Sequence, residues 1–136
     1  MLEPSKKRRK LHHHASRKFI ARVKAALIEN EEITKDFLML IDSGASATIG
    51  DSSLSTKSNW NKNIIPCQWT TKTGGFKTNH NAWIKFTTPD LGPHTVIAQN
   101  IQIDENNHSN NFDLVLGLDT ITDLGLILNG KNKTLE

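Results

Sequence analysis

Phe37-Leu38-Met39-Leu40-Ile41-Asp42-Ser43-Gly44 is the stretch on which the fold turns. Five consecutive apolar residues without glycine or proline read as a buried β-strand, and Asp42-Ser43-Gly44 reads as the turn that ends it. A carboxylate at the end of a buried strand is costly, because desolvation disfavours its charged form, unless something there requires it. The neighbours supply reasons. Ser43 offers a short hydroxyl that can bond to backbone or to another chain. Gly44 allows close backbone approach and exposes its N–H. Ala45 and Ser46 are small and leave space above the turn. Taken alone, the triplet is most simply an Asp-capped turn.

Outward from this strand the texture is mostly β. Residues 50–63, rich in Ser, Asn and Lys, read as loop. Ile64–Ile65 with Cys67–Thr71, and then Lys77–Thr87, form two extended runs around a Gly74–Gly75 turn signal, which predicts a hairpin. In the second run Ala82, Ile84 and Phe86 alternate with Trp83 and Lys85. His94–Ile103 is a further strand, 104–111 an Asn-rich loop, and Phe112–Leu118 a second continuous apolar run. A short helix is expected within Thr120–Leu126, with Asp119 as its cap, and a last strand at Leu126–Leu128. Before the first strand, residues 15–30 read as a short amphipathic helix with Phe19, Val23, Ala26 and Leu27 on one face and Ser16 as N-cap. The expectation is an all-β domain over 35–136, preceded by a basic, partly disordered or helical arm over 1–34.

Composition narrows the function classes. The chain has 136 residues, 36% hydrophobic and 23% charged, enough for one packed domain. No apolar run approaches the ~18 residues of a membrane span, and the basic start lacks a signal-peptide h-region. An intracellular protein, cytoplasmic or imported to the nucleus, is expected, or a piece of a polyprotein. One cysteine, Cys67, rules out an internal disulfide framework and a paired-cysteine zinc site; a small buried hydrophobe is its simplest reading. No cofactor is expected. The His12–His14 run is too local to fix a metal geometry.

The net charge of +3 conceals a split. Residues 1–24 hold nine of the 17 Lys and Arg and only one acid, Glu3; the remainder carries 8 basic and 13 acidic residues, a formal −5. The body therefore lacks the basic face of a nucleic-acid binder. Lys6–Lys10 and their surroundings (residues 5–24) leave open a contact with nucleic acid or an import receptor, against the plainer reading of a solvated arm. Gly44–Gly50 lacks the Lys-Ser/Thr of a phosphate loop, since Asp51 follows. No Gly-x-Ser-x-Gly elbow is present. Trp60, Trp69 and Trp83 could stack on bases, but near a hairpin packing is the simpler role.

The combination of two motifs changes the reading. Leu40–Ile49 (L-I-D-S-G-A-S-A-T-I), a Gly-rich hairpin, and Phe112-Asp113-Leu114-Val115-Leu116-Gly117-Leu118 followed by a short helix and strand occur in that order. In this the chain resembles the retropepsin family of aspartic proteases, in particular the protease segment of gypsy-like long-terminal-repeat retrotransposon polyproteins. The resemblance spans roughly residues 36–136.

It implies a closed, barrel-like half of an acid protease with a flap hairpin and one short C-terminal helix, completed as a homodimer. Asp42, Ser43 and Gly44 would form the catalytic turn. Ala45, Ser46, Thr73, Gly74, Gly75 and Phe76 would contact substrate, with Phe76 at the flap tip. Val115, Leu116 and Gly117 would form the structural second motif. The chain carries one Asp-Ser-Gly triplet, so the second catalytic carboxylate would come from Asp42 of another copy, with the Ser43 hydroxyls joining the two turns. The substrate would be a polypeptide. Many retropepsins pair an Arg after the second motif's Gly with an Asp near the catalytic turn; Leu118 and Ser46 stand at those positions here. Three alternatives stay open: a cellular retropepsin-like protease, a non-catalytic dimerisation module of the same fold, and a nucleic-acid binder acting through the arm.

Overall fold

The computed structural model describes residues 19–71, 74–89, 95–106, 108, 111–126, 128–129 and 134–135. The expectations for residues 1–18 and for Thr73 lie outside these. The strands are β1 (Ile20–Glu29), β2 (Glu32–Asp42), β3 (Ile49–Asp51), β4 (Asn61–Thr71), β5 (Gly74–Thr87), β6 (Thr95–Asp104) and β7 (Leu114–Leu116). A six-residue helix, α1 (Leu118–Asp123), and the short strands β8 (Leu128–Asn129) and β9 (Thr134–Leu135) follow. The all-β expectation is met. Among the described residues, no helix is long and apolar enough to cross a membrane.

One sheet runs β1-β2-β7-β3-β6-β5-β4, and β1 also pairs with β5 at Ala26–Thr87 and Leu27–Phe86. The extra pairing closes six strands into a ring and leaves β4 hanging from β5 as the outer arm of a hairpin. Inside the ring, alternate residues of β1, β2, β5 and β7 pack together: Val23, Ala25 and Leu27; Phe37, Met39 and Ile41; Ala82, Ile84 and Phe86; Leu114 and Leu116. The period of two sends Leu38, Leu40 and Val115 to the other face. The run Phe37–Ile41 is thus buried on one side only, with Leu38 and Leu40 half-exposed.

The segment expected as an amphipathic helix is β1 instead. Phe19, Val23 and Leu27 fit a helical stripe, yet Val23, Ala25 and Leu27 also alternate, and pairing along the length of β2 favours the extended form. The sheet therefore begins at Ile20, well before residue 35. The β1–β2 turn is Asn30–Glu31, with φ of 53° and 66°. Two left-handed residues give the hairpin turn whose twist matches the strands. Glu31 bears a Cβ there, at a cost of about 1–2 kcal/mol that the long ladder offsets.

The expected hairpin is present, with Trp69 facing Phe76, but Thr71 pairs with Gly74, so Gly74 and Gly75 open β5 instead of forming the turn itself. Gly74 has φ of +144°, a conformation L side chains rarely adopt. A side chain on Gly75 would come within 2.8 Å of the Trp69 carbonyl oxygen. Within the region expected as loop at 50–63, Gly50 and Asp51 complete β3, two short 3-10 turns cover Ser52–Leu54 and Lys57–Asn59, and β4 starts at Asn61. Cys67 is half-exposed rather than buried, because it lies on the outer strand next to a break in its pairing between Lys62 and Cys67. Trp83 is 56% exposed, also against expectation, since its position on β5 points out of the ring.

Candidate active site

Strand β2 runs parallel to β7, with Leu40 beside Val115 and Ile41 beside Leu116. Both strands therefore end at the same level, and Asp42 leaves β2 alongside Gly117. The Asp42 residue is 2% exposed. Its Oδ1 accepts the Gly44 N–H at 2.8 Å, and its carbonyl accepts the Ala45 N–H at 3.0 Å. These two bonds fix the turn and hold the carboxylate in one orientation. Gly44 is half-exposed beside it, Ser46 half-exposed, and Ala45 fully buried.

Ser43 is anchored within its own chain. Phe19 N–H donates to Ser43 Oγ at 2.7 Å, and Ser43 N–H donates to the Phe19 carbonyl at 3.0 Å. The residue just before β1 thus clamps the turn, a role the helical reading of this segment concealed. A hydroxyl oxygen can accept while its proton is still donated elsewhere.

The turn is tied to the second motif without an ion pair. Leu118, 46% exposed, gives its backbone N–H to the Ala45 carbonyl at 2.7 Å. The remaining links converge on Thr48, which is fully buried. Its Oγ1 accepts the Gly117 N–H at 3.0 Å, donates to Asp119 Oδ1 at 2.8 Å, and lies 2.6 Å from Thr120 Oγ1. Asp119 does not cap a helix starting at 120: α1 starts at Leu118, with Gly117 at its N-cap position. The Asp119 carboxylate instead accepts from the Thr48 hydroxyl, the Thr48 N–H and the Thr120 N–H. Thr48 was invisible in the sequence, where it is one small polar residue among several.

Thr48→Val keeps the volume and removes the hydroxyl, leaving the Gly117 N–H and the Thr120 hydroxyl short of a partner. A loss of about 2 kcal/mol in unfolding free energy is expected, measured by urea denaturation. An unchanged midpoint would show that the network carries no weight.

Above the turn lies a second apolar cluster of Ala45, Ala47, Ile49, Phe76 and Val115, flanked by Leu40, Trp69 and Phe112. Phe76 is not at the hairpin tip. It sits two residues into β5, 9% exposed, with its ring against this cluster. The hairpin therefore lies down over the residues that follow Asp42. Its base is held by a polar network: the Trp69 indole N–H donates to Thr78 Oγ1 at 2.9 Å, Thr78 Oγ1 to Gln102 Oε1 at 2.7 Å, and Asn63 Nδ2 to Gln102 Oε1 at 2.9 Å.

The structure thus gathers Asp42, Ser43, Gly44, Ala45, Phe76, Val115 and Gly117 in one region. Gly74 and Gly75 stand further along the hairpin. A groove of about 720 Å³ bounded by Lys24, Phe37, Thr87 and Pro89 shares no residue with the Asp42 turn. Among the described residues, no three His, Cys, Asp or Glu side chains are grouped to hold a metal ion.

No protein family matches this sequence, and no curated protein is similar enough to match it.

Proposed function

We propose that the chain is a retropepsin-like aspartic endopeptidase that works as a homodimer, with a polyprotein of the retrotransposon kind as its substrate. The observation that carries this reading is the setting of Asp42: a residue 2% exposed, at the end of a core strand, with its carboxylate fixed by the Gly44 N–H and an apolar cluster of Ala45, Ala47, Val115 and the hairpin's Phe76 beside its turn.

One carboxylate does not supply both an acid and a base. In the symmetric dimer, Asp42 of each copy meets the other across the two-fold axis. Two carboxyl groups so close share one proton, because both cannot ionise easily. The ionised member takes a proton from a water held between them, and the water oxygen bonds to the scissile carbonyl carbon. The protonated member gives its proton to the carbonyl oxygen. Collapse of the resulting diol passes a proton to the amide nitrogen as the C–N bond breaks, leaving a carboxylic acid and an amine. No covalent enzyme intermediate forms.

The Ser43 hydroxyl, already accepting from Phe19, donates its proton toward the opposite turn. The β4–β5 hairpin closes over an extended peptide and excludes water. Trp69, half-exposed at the edge of the apolar cluster, offers apolar surface to a substrate side chain. The links through Thr48 and the Leu118 N–H do the positioning that an Arg–Asp pair does in many retropepsins.

The test is a peptide-library digest at mildly acidic pH, read by mass spectrometry with and without a pepstatin-type inhibitor. Inhibitor-sensitive cleavage at defined bonds is expected. Absence of cleavage at chain concentrations that give a dimer would overturn the reading.

A further inference from the structure

The hairpin is held from outside as well as from within. Asp104, the last residue of β6, is 2% exposed, and its carboxylate accepts the backbone N–H groups of Asn106 and His108. Its Oδ1 also lies 2.7 Å from His108 Nδ1. Three contacts from one buried side chain shape the turn after β6 and fix the orientation of the imidazole. That ring then reaches across to the hairpin: it stacks on Phe76 with centroids 4.4 Å apart and planes 15° from parallel. Phe76 also belongs to the apolar cluster beside the Asp42 turn.

Nothing in the catalytic scheme above uses Asp104 or His108, yet the contacts that satisfy the buried Asp104 carboxylate come from Asn106 and His108 and fix where the imidazole stands. We infer that His108, oriented by Asp104, is a positioning residue that clasps Phe76 and holds the β4–β5 hairpin seated on the apolar cluster beside the Asp42 turn before a peptide arrives. Ordering the hairpin in advance lowers the cost of closing it on an extended substrate. The clasp acts on binding rather than on bond cleavage. Its kinetic consequence rests on the peptidase reading; its structural consequence does not.

Three variants of the full chain separate the ring from its tether. His108→Ala removes both. His108→Asn keeps a donor toward Asp104 and loses the stack. His108→Phe keeps an aromatic face on Phe76 and loses the tether. Amide hydrogen exchange across Trp69–Thr71 and Gly75–Thr78 reports the hairpin directly, and KM against kcat reports its effect on peptide.

Ala and Asn are expected to speed hairpin exchange roughly threefold to tenfold, the range one aromatic contact supports, with β1 and β2 unchanged. Phe is expected to stay nearer the unsubstituted chain. KM should rise by a similar factor in Ala and Asn, with kcat held within about twofold. Unchanged hairpin exchange in His108→Ala, equal acceleration in His108→Phe, or faster exchange throughout the sheet would each overturn the clasp. If exchange behaves as expected and the unsubstituted chain cleaves no peptide, the peptidase reading falls and the clasp stands. If peptide is cleaved and neither exchange nor KM moves, the clasp falls alone.

Discussion

Asp42→Asn is expected to lower kcat/KM for peptide hydrolysis by at least about 10³-fold while leaving the chain folded. The substitution is nearly isosteric, and an amide oxygen can still accept the Gly44 N–H that Asp42 Oδ1 accepts at 2.8 Å. The turn therefore keeps its shape. What is lost is the capacity to take a proton from water and return it, and in a symmetric dimer it is lost at both positions. General acid–base catalysis by a single positioned group is worth about 10²–10⁴-fold, so removing the whole pair leaves little above background. Hydrolysis of a fluorogenic peptide, run beside circular dichroism of the same sample, separates loss of chemistry from loss of fold. Undiminished hydrolysis would remove Asp42 from the mechanism.

Gly117→Ala is expected to be strongly damaging. A Cβ at this position would stand 2.2 Å from the Ala47 carbonyl oxygen, 2.5 Å from the Ala47 carbonyl carbon and 2.9 Å from the Ala45 carbonyl oxygen. All three are backbone atoms of the loop that follows the Asp42 turn, so no side chain can swing aside to make room. Shifting that loop breaks the Leu118–Ala45 bond and pulls Gly117 N–H from Thr48. A destabilisation of about 3 kcal/mol or more is expected, read from urea unfolding, together with loss of peptidase activity. Gly50→Ala is the matched comparison. Its Cβ would meet one side-chain atom, Ile101 Cγ2, at 2.8 Å and no backbone atom, so its cost should be smaller. Equal losses at the two positions would contradict this account of why glycine ends β7.

Much of the fold is legible in the residues themselves. The alternation of Ala82, Ile84 and Phe86 against Trp83 and Lys85 predicts which face of β5 is buried, and Gly74–Gly75 marks the hairpin that β4 and β5 form. Asp42 at the end of an apolar run predicts a buried carboxylate on a turn, as found. The failures have physical causes. Residues 20–29 satisfy both a helical and an alternating pattern, and only pairing with β2, a non-local contact, decides between them. Asn30–Glu31 lacks the glycine that advertises a two-residue turn, so the hairpin it makes is hidden. Phe76 is set back from the hairpin tip because it pairs with Trp69 inside the ladder, and the parity of strand β5 sends Phe76 and Thr78 inward and Gly75 and Lys77 outward. Thr48, Asp104 and His108 matter through partners distant in sequence or through a loop geometry that composition does not encode.

The central claim is that cleavage needs one carboxylate from each of two identical chains, and subunit mixing tests it most directly. Unsubstituted chain is mixed in rising proportion with Asp42→Asn chain at constant total concentration, above the point at which dimers form. If mixed dimers are inactive and subunits exchange freely, an equal mixture should retain about a quarter of the starting activity, because active pairs fall as the square of the unsubstituted fraction. Activity falling only in proportion to the unsubstituted chain, to about a half at equal mixing, would mean that each Asp42 acts without its counterpart.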